Sequence, residues 1–442
     1  MAVISMGRLG TLSLPGGILV AGLLFAGVMP VTLPGQGAPG TPPRVSQWRA
    51  DLDTLVALVT REHFVHRRNP LPPAFVRGVA TLSARVGQFS DERILAEMSR
   101  LMVLLGDGHT YLLPAGATRV EGSWLPVTMY LFPDGLYVVD AASGSRDLVG
   151  SKVVRIGRVS AADAMRRVAA FIPKDNPMGV QWIAPPFGLR LHGILEAIGA
   201  VEPGDVYLDL GMVDRDGEPA ARMVRFVPFP GAAGVPKLGP PPGGGESGGA
   251  LWLRDQGRGI LLTRIVREVL YLRMLQVRDT PEETLADLAK RLGDSLSIPG
   301  TTALILDLRL NNGGNADLLG PLLDTLRAYD RQCPDCRILV LTGRNTFSAA
   351  QILLNVIDRD TRAIVVGEPS SSRPNFVGEE NFFRLPWSGA IGSISDRYHE
   401  SRPGDRRRWI PPDVPVDLTA ADYFGHRDPV LDAALRRALR DP

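Results

Sequence analysis

The chain has 442 residues, 45% hydrophobic and 22% charged, an ordinary globular composition for two or three domains and unlike that of a disordered chain. Lys+Arg (49) and Asp+Glu (47) leave a net charge of +2, which argues against a nucleic-acid binder with its basic stripe. Gly (48) and Pro (37) together call for many turns and at least one loose connector rather than a coiled coil, and no internal repeat recurs at solenoid periods.

Residues 1–38 read as an export segment. Arg8 supplies the positive start, residues 17–29 (GILVAGLLFAGVM) the apolar stretch, and Gly35, Gly37 and Ala38 the small residues of a cleavage site. The alternatives are a single uncleaved membrane anchor spanning residues 12–33 or a buried core segment. Export implies a periplasmic or extracellular location.

Residues 45–120 form a helical region. Trp48, Leu52, Leu55, Val56 and Val59 recur at helical spacing, and Ser90 is placed to cap a helix beginning at Asp91. It ends in the turn Gly106-Asp107-Gly108-His109-Thr110. Residues 121–229 are strand-rich, with a helix over 161–170. Residues 230–249 are a Pro/Gly linker too poor in apolar residues to pack. Over residues 250–442 strands and helices alternate as in a layered α/β domain. They comprise a strand at 269–272, a helix at 281–296 capped by Thr280, the apolar strand 303–308 (ALILDL), a helix at 316–329, a strand at 338–341, a helix at 348–357 and a strand at 363–367.

Cys333 and Cys336 are the only cysteines. A second pair for a zinc ribbon is absent, so the expectation is a local disulfide or a plain loop pair. No cluster has metal-ligand spacing, no cofactor motif is present, and His63, His66 and His192 fall on predicted helices as surface or core residues.

Three segments carry chemistry. In Asp307-Leu308-Arg309-Leu310-Asn311-Asn312-Gly313-Gly314 a buried strand ends in paired glycines whose N–H groups could stabilise an oxyanion, or which merely make a tight turn. In Thr346-Phe347-Ser348-Ala349-Ala350 a hydroxyl heads a helix, either as an exposed nucleophile with the Ala349 N–H beside it or as a plain helix cap. In Asp107-Gly108-His109-Thr110 a histidine sits in a tight turn, as a base or without a role.

In this order the three resemble the tail-specific, or C-terminal-processing, serine peptidases, in the branch related to the tricorn core protease. The likeness covers roughly residues 45–120 and 250–435, including Tyr271-Leu272-Arg273, residues 411–416 (PPDVPV) and Gly425-His426-Arg427-Asp428-Pro429. The resemblance implies an α/β fold with a crotonase-like (ClpP-like) layered core, and a central PDZ-like module, whose carboxylate-binding loop is not recognisable here, as in a degenerate module. It implies Ser348 as nucleophile, His109 as base, Gly313 or Gly314 and Ala349 as oxyanion donors, no cofactor or metal, and a peptide or protein substrate.

The sequence departs from that pattern in three places. Arg373 stands where the Ser–Lys branch would have its lysine, and a guanidinium cannot serve as base. Gly108 replaces the serine that precedes the histidine in the tricorn-like branch. The acid that completes the site is to be found among Glu368, Glu379, Glu380, Glu400, Asp405 and Asp107, with Glu400 preferred by spacing. The competing expectations are a catalytically inactive relative that binds peptides or apolar ligands, and another acyl hydrolase on the same core.

Overall fold

The computed structural model describes residues 44–230, 236–242 and 249–439. The export segment expected over residues 1–38 lies outside them. No helix among the described residues is long and apolar enough to cross a membrane.

Three helices open the described chain, α1 (Arg44–Glu62), α2 (Pro73–Arg85) and α3 (Asp91–Val103). Ser90 caps α3, accepting the Arg93 N–H. His63 and His66 lie beyond the end of α1, in the turn that follows it, because the helix stops at Glu62. The apolar faces of the three helices bury Trp48, Leu52, Leu55, Ile94, Met98 and Leu101 against Leu385, Ala390 and Ile394 from near the other end of the chain.

A middle sheet follows, ordered β1 (Val127–Phe132), β2 (Gly135–Ala141), β3 (Lys152–Ile156), β4 (Tyr207–Val213) and β5 (Pro219–Arg225), all antiparallel. Its connections hold α4 (Ala161–Val168), α5 (Pro177–Ile183) and α6 (His192–Ala197). The described part of the expected linker is packed, contrary to expectation. Leu238 is buried beside Trp252 and Tyr423, and the Tyr423 hydroxyl donates to the Gly239 carbonyl. A single well-placed leucine and satisfied carbonyls anchor a segment whose composition reads as loose.

The second large sheet is ordered β6 (Ile260–Val266), β7 (Val269–Met274), β8 (Ala303–Asp307), β9 (Arg337–Thr342) and β10 (Ile364–Gly367), parallel from β7 onward. Both faces are covered, so its strands are apolar at every position. Leu304 and Leu306 pack under α7 (Leu285–Leu296), α8 (Gly320–Gln332) and α9 (Ala349–Asp360). Ala303 and Ile305 pack on the opposite face, against helix residues 430–438. The α7 boundary differs from expectation. Thr280 instead caps its own short turn through Glu283, and Thr284 caps the helix through the Asp287 N–H. Residues 316–319 form a 3-10 turn ahead of α8. Cys333 and Cys336 are joined as a disulfide beyond α8.

After β10 the chain leaves the sheet as β11 (Asn375–Gly378), β12 (Asn381–Arg384), β13 (Ile391–Ile394) and β14 (Arg397–Glu400). It returns as β15 (Val414–Pro415) beside β10, then ends in α10 (Ala420–Phe424) and α11 (Pro429–Leu439). This excursion positions the site. The residue pair Tyr111–Leu112, starting two residues after His109, adds as a short antiparallel strand to β13, pairing Tyr111 with Ser393 and Leu112 with Gly392. Asp51 of α1 ties down the same hairpin, accepting the N–H groups of Trp387 and Ser388, each at 2.8 Å. The amino-terminal helices are thereby brought to the edge of a core built two hundred residues later.

Candidate active site

β8 and β9 are adjacent parallel strands, so the turns at their carboxyl ends lie side by side. In open α/β sheets this is where a crevice forms. The first turn is held from below by charge. Asp307 at the end of β8 accepts from Arg309 and from the Tyr271 hydroxyl at 2.8 Å, and Arg309 also pairs with Asp428 at 2.7 Å over the Trp252 ring. All four polar groups are buried. The network accounts for three separate pieces of the sequence pattern: Tyr271, Asp307-Leu308-Arg309 and Asp428.

The second turn is held by hydrogen bonds. The Thr346 hydroxyl donates to the Leu308 carbonyl at 2.8 Å and accepts the Gly343 N–H at 3.1 Å. The Phe347 N–H donates to the Asn311 carbonyl at 3.1 Å. Under these restraints Ser348 adopts φ 56° and ψ −122° and makes no capping hydrogen bond. A helix cap has extended backbone and uses its hydroxyl on the first turn. Ser348 does neither, so its role as a plain cap is ruled out. The arrangement is a sharp strand-to-helix elbow with backbone strain of the kind that nucleophiles occupy. Gly313 (φ 109°) approaches so closely that an added Cβ would lie 2.6 Å from the Ser348 Cβ.

The N–H groups expected to hold an oxyanion divide. The Gly313 N–H is committed to Asn311 Oδ1 at 3.0 Å. The Gly314 and Ala349 N–H groups make no hydrogen bond among the described residues. Gly314, Ala349, Ser348 and His109 all line one cavity of about 1260 Å³.

His109 reaches that cavity through its turn. Asp107 Oδ1 accepts the N–H groups of His109 (2.9 Å) and Thr110 (2.6 Å), and Asp107 Oδ2 pairs with His63 Nε2 at 2.9 Å. Burial pushes the Asp107 pKa up, but the His63 hydrogen bond and charge, with smaller contributions from His109 and Thr110, together outweigh it and hold the carboxyl below its ordinary value. Asp107 is therefore the anchor of the turn. The His109 ring is stacked between Phe347 (4.4 Å) and Phe376 (5.3 Å). Among the described residues no side chain, Ser348 included, hydrogen-bonds either ring nitrogen. Burial lowers its pKa to about 4, with Asp107 and the Val377 carbonyl pulling weakly the other way and His399 adding to the lowering.

The carboxylates considered for the acid have other partners, although Glu379 and Glu380 line the cavity. Glu368 pairs with Arg344, Asp405 with Arg407, and Glu380 accepts from the Tyr111 hydroxyl at 3.3 Å. Glu400, the residue preferred by spacing, is exposed at the end of β14, accepts the Gly404 N–H and does not line the cavity. Its neighbour His399 does, with Nε2 3.4 Å from Glu379 Oε1. Strand alternation puts His399 on the cavity side and Glu400 away from it. Sequence reasoning passed over His399, although its place beside Glu400 was a signal. It also missed Asp175, whose setting in Lys174-Asp175-Asn176-Pro177 reads as a helix start. Arg373 donates from Nε to the Asp175 carbonyl at 2.8 Å and takes no part in the cavity.

No family model and no curated protein matches the chain. Solved structures do. Mature CPAF complexed with lactacystin is similar at a TM-score of 0.64 and 15% identity, over 90% of this chain and 99% of that one. Mature CPAF alone is similar at 0.62 and 14%, over 90% and 98%. The tricorn protease stands at a lower TM-score of 0.41 and 12% identity, over 90% of this chain and 37% of that one. The chain thus has, over nine-tenths of its length, the fold of mature CPAF, beside the resemblance to the tail-specific serine peptidases that its three motifs carry.

Proposed function

We propose that the protein is an exported serine peptidase of the tail-specific group, cleaving peptide bonds through an acyl-enzyme. The observation that carries this reading is Ser348. It is a non-glycine residue at φ 56° heading α9, next to two unengaged N–H groups, on the wall of a cavity that His109 shares. The parallel sheet with helices on both faces supports the crotonase-like core. The antiparallel β1–β5 sheet with α4 supports the degenerate PDZ-like module. The Cys333–Cys336 disulfide fits an oxidising location.

In the reaction, Ser348 Oγ attacks the scissile carbonyl carbon and passes its proton to an imidazole nitrogen of His109. The carbonyl oxygen becomes an oxyanion, held by the Gly314 and Ala349 N–H groups. Collapse breaks the C–N bond, His109 returns the proton to the leaving amine, and water releases the acyl group by the reverse sequence. His109 is neutral at neutral pH and able to accept a proton. In this structure it makes no hydrogen bond to Ser348, and the pair closes up on substrate binding.

A fluorophosphonate probe tests the reading. It should label Ser348, and the label should vanish in Ser348→Ala and largely in His109→Ala. A folded protein that stays unlabelled points to the non-catalytic binder.

A further inference from the structure

Two segments distant in sequence close on one carboxyl, that of Asp175. It lies in the turn that enters α5 and is 5% exposed. Its Oδ1 accepts the N–H of Gly108, the residue directly before His109, at 2.8 Å. The Ser372 hydroxyl is its second polar neighbour, and Ser372 Oγ accepts the N–H of Ser348 at 3.0 Å. The same turn is clamped on its other side. Asn176 Nδ2 donates to the carbonyls of Ser370 (3.0 Å), Ser372 (3.2 Å) and Arg408 (3.0 Å).

The fit also explains Gly108. A Cβ there would stand 3.0 Å from the Phe347 ring and 3.2 Å from Asp175 Oδ1. A larger residue would push the histidine turn away from the carboxyl and from the elbow.

We propose that Asp175 is a positioning residue for the Ser348–His109 pair, fixing the turn that carries the base against the turn that carries the nucleophile. The proposal rests on the peptidase reading and adds to it the residue that couples the two walls. A carboxyl is a costly choice for mere loop packing. Its Oδ2 is buried without a hydrogen-bond partner, and holding the Gly108 N–H alone asks only for an amide oxygen. Burial, and then the Asp107 charge, raise its pKa to about 7, while the Gly108 N–H, Arg373 and Ser372 pull it down. Asp107 and Arg373 are the charged groups facing it.

The test is the rate of fluorophosphonate labelling of Ser348 between pH 5 and 9, in the full chain. The proteins compared are wild type, Asp175→Asn, Asp175→Ala, Ser372→Ala and the Asp175→Asn/Ser372→Ala double variant. Misplacing a reacting group by about 1 Å costs roughly 10²-fold, so Asp175→Ala should label roughly 10²-fold slower. Asp175→Asn should fall between it and wild type and lose any inflection near neutral pH. The double variant should be no slower than the worse of its two singles, because the Asp175–Asn176 turn and Ser372 are clamped together and Ser372 holds the Ser348 N–H. Asp175→Asn keeps the side-chain volume, and its thermal midpoint at pH 8 should not drop, which separates positioning from folding. Wild-type rate and pH profile in Asp175→Asn, or effects that simply multiply in the double variant, would overturn the proposal. If wild type itself does not label, the peptidase reading fails, and the coupling is read instead from the His109 ring resonances in histidine-labelled protein. They should shift in Asp175→Asn while those of His192 stay put, and unmoved His109 resonances overturn the coupling.

Discussion

Around Ser348, Thr346 bonds both neighbouring turns, Asn311 holds Gly313 and Phe347, and Ser372 takes up the Ser348 N–H. Across the cavity, His109 has two ring nitrogens that no side chain among the described residues bonds, and Trp182 Nε1 and Asp175 Oδ2 are likewise unengaged. Buried polar groups left unpaired are expensive. Both walls keep unpaired polar atoms, Asn311 Nδ2 and Asn312 Oδ1 on the Ser348 side among them, so what separates the nucleophile wall from the base wall is the strained, hydrogen-bonded elbow that fixes Ser348 and the imidazole, unpartnered by any side chain, that faces it. The first can hold an oxyanion donor pair ready. The second can supply a donor and an acceptor to a substrate.

The sharpest way to break this contrast is at the nucleophile. Ser348→Ala should lower peptide hydrolysis by at least about 10⁴-fold while leaving the thermal midpoint within a few degrees, read by turnover and by calorimetry. A large stability loss would mean that the hydroxyl is structural after all.

The support beneath the nucleophile wall is tested next. Asp428→Asn leaves Arg309 buried with one partner removed, and should destabilise by about 3–5 kcal/mol, measured by urea unfolding. A neutral result would move the strength of the β8 turn from charge to packing.

On the base wall, pH is the probe. Folded His109 takes up a proton at about pH 4, whereas the unfolded side chain does so near 6.5. Between those values the unfolded chain binds more protons, so this contribution to stability is intact above pH 6.5 and is lost as pH falls toward 4. The loss should be about 3 kcal/mol, and His109→Phe should abolish that part of the slope. Asp175 runs the other way. Its folded pKa of about 7 lies above the unfolded value of 3.8, so stability declines as pH rises between them and Asp175→Asn should flatten the decline. Urea unfolding at a series of pH values reads both, and equal slopes in wild type and variants would show that the two groups are not buried as described.

The smallest expected effect refines the geometry between the turns. Gly313→Ala places a methyl at φ 109° against Ser348, and should cost about 1–3 kcal/mol with a kcat loss out of proportion to any change in KM.

Much of the core was legible because local rules suffice there. Strand 303–308 is apolar throughout, Ser90 caps its helix, and the glycine pair and the Thr346-Phe347-Ser348 turn announce themselves by residue type. Helix starts were less so, since Thr280 and Thr284 offer the same chemistry four residues apart and only the packed turn chooses between them. The partners of buried charges were not readable at all. Asp107 pairs with His63 rather than with His109, and Glu400 turns outward while His399 faces the cavity, because those outcomes depend on which strands meet and in what register.

The amino-acid order by itself determined the apolar strands, the two turns and the residue types at them, since these follow from side-chain periodicity and from the φ values glycine alone tolerates freely. Only the tertiary structure decided that the turn after α3 would dock on β13, that His109 would share a cavity with Ser348, and that Asp175 would hold the Gly108 N–H. That decision belongs to strand pairing and shared burial between segments hundreds of residues apart, which no local pattern encodes.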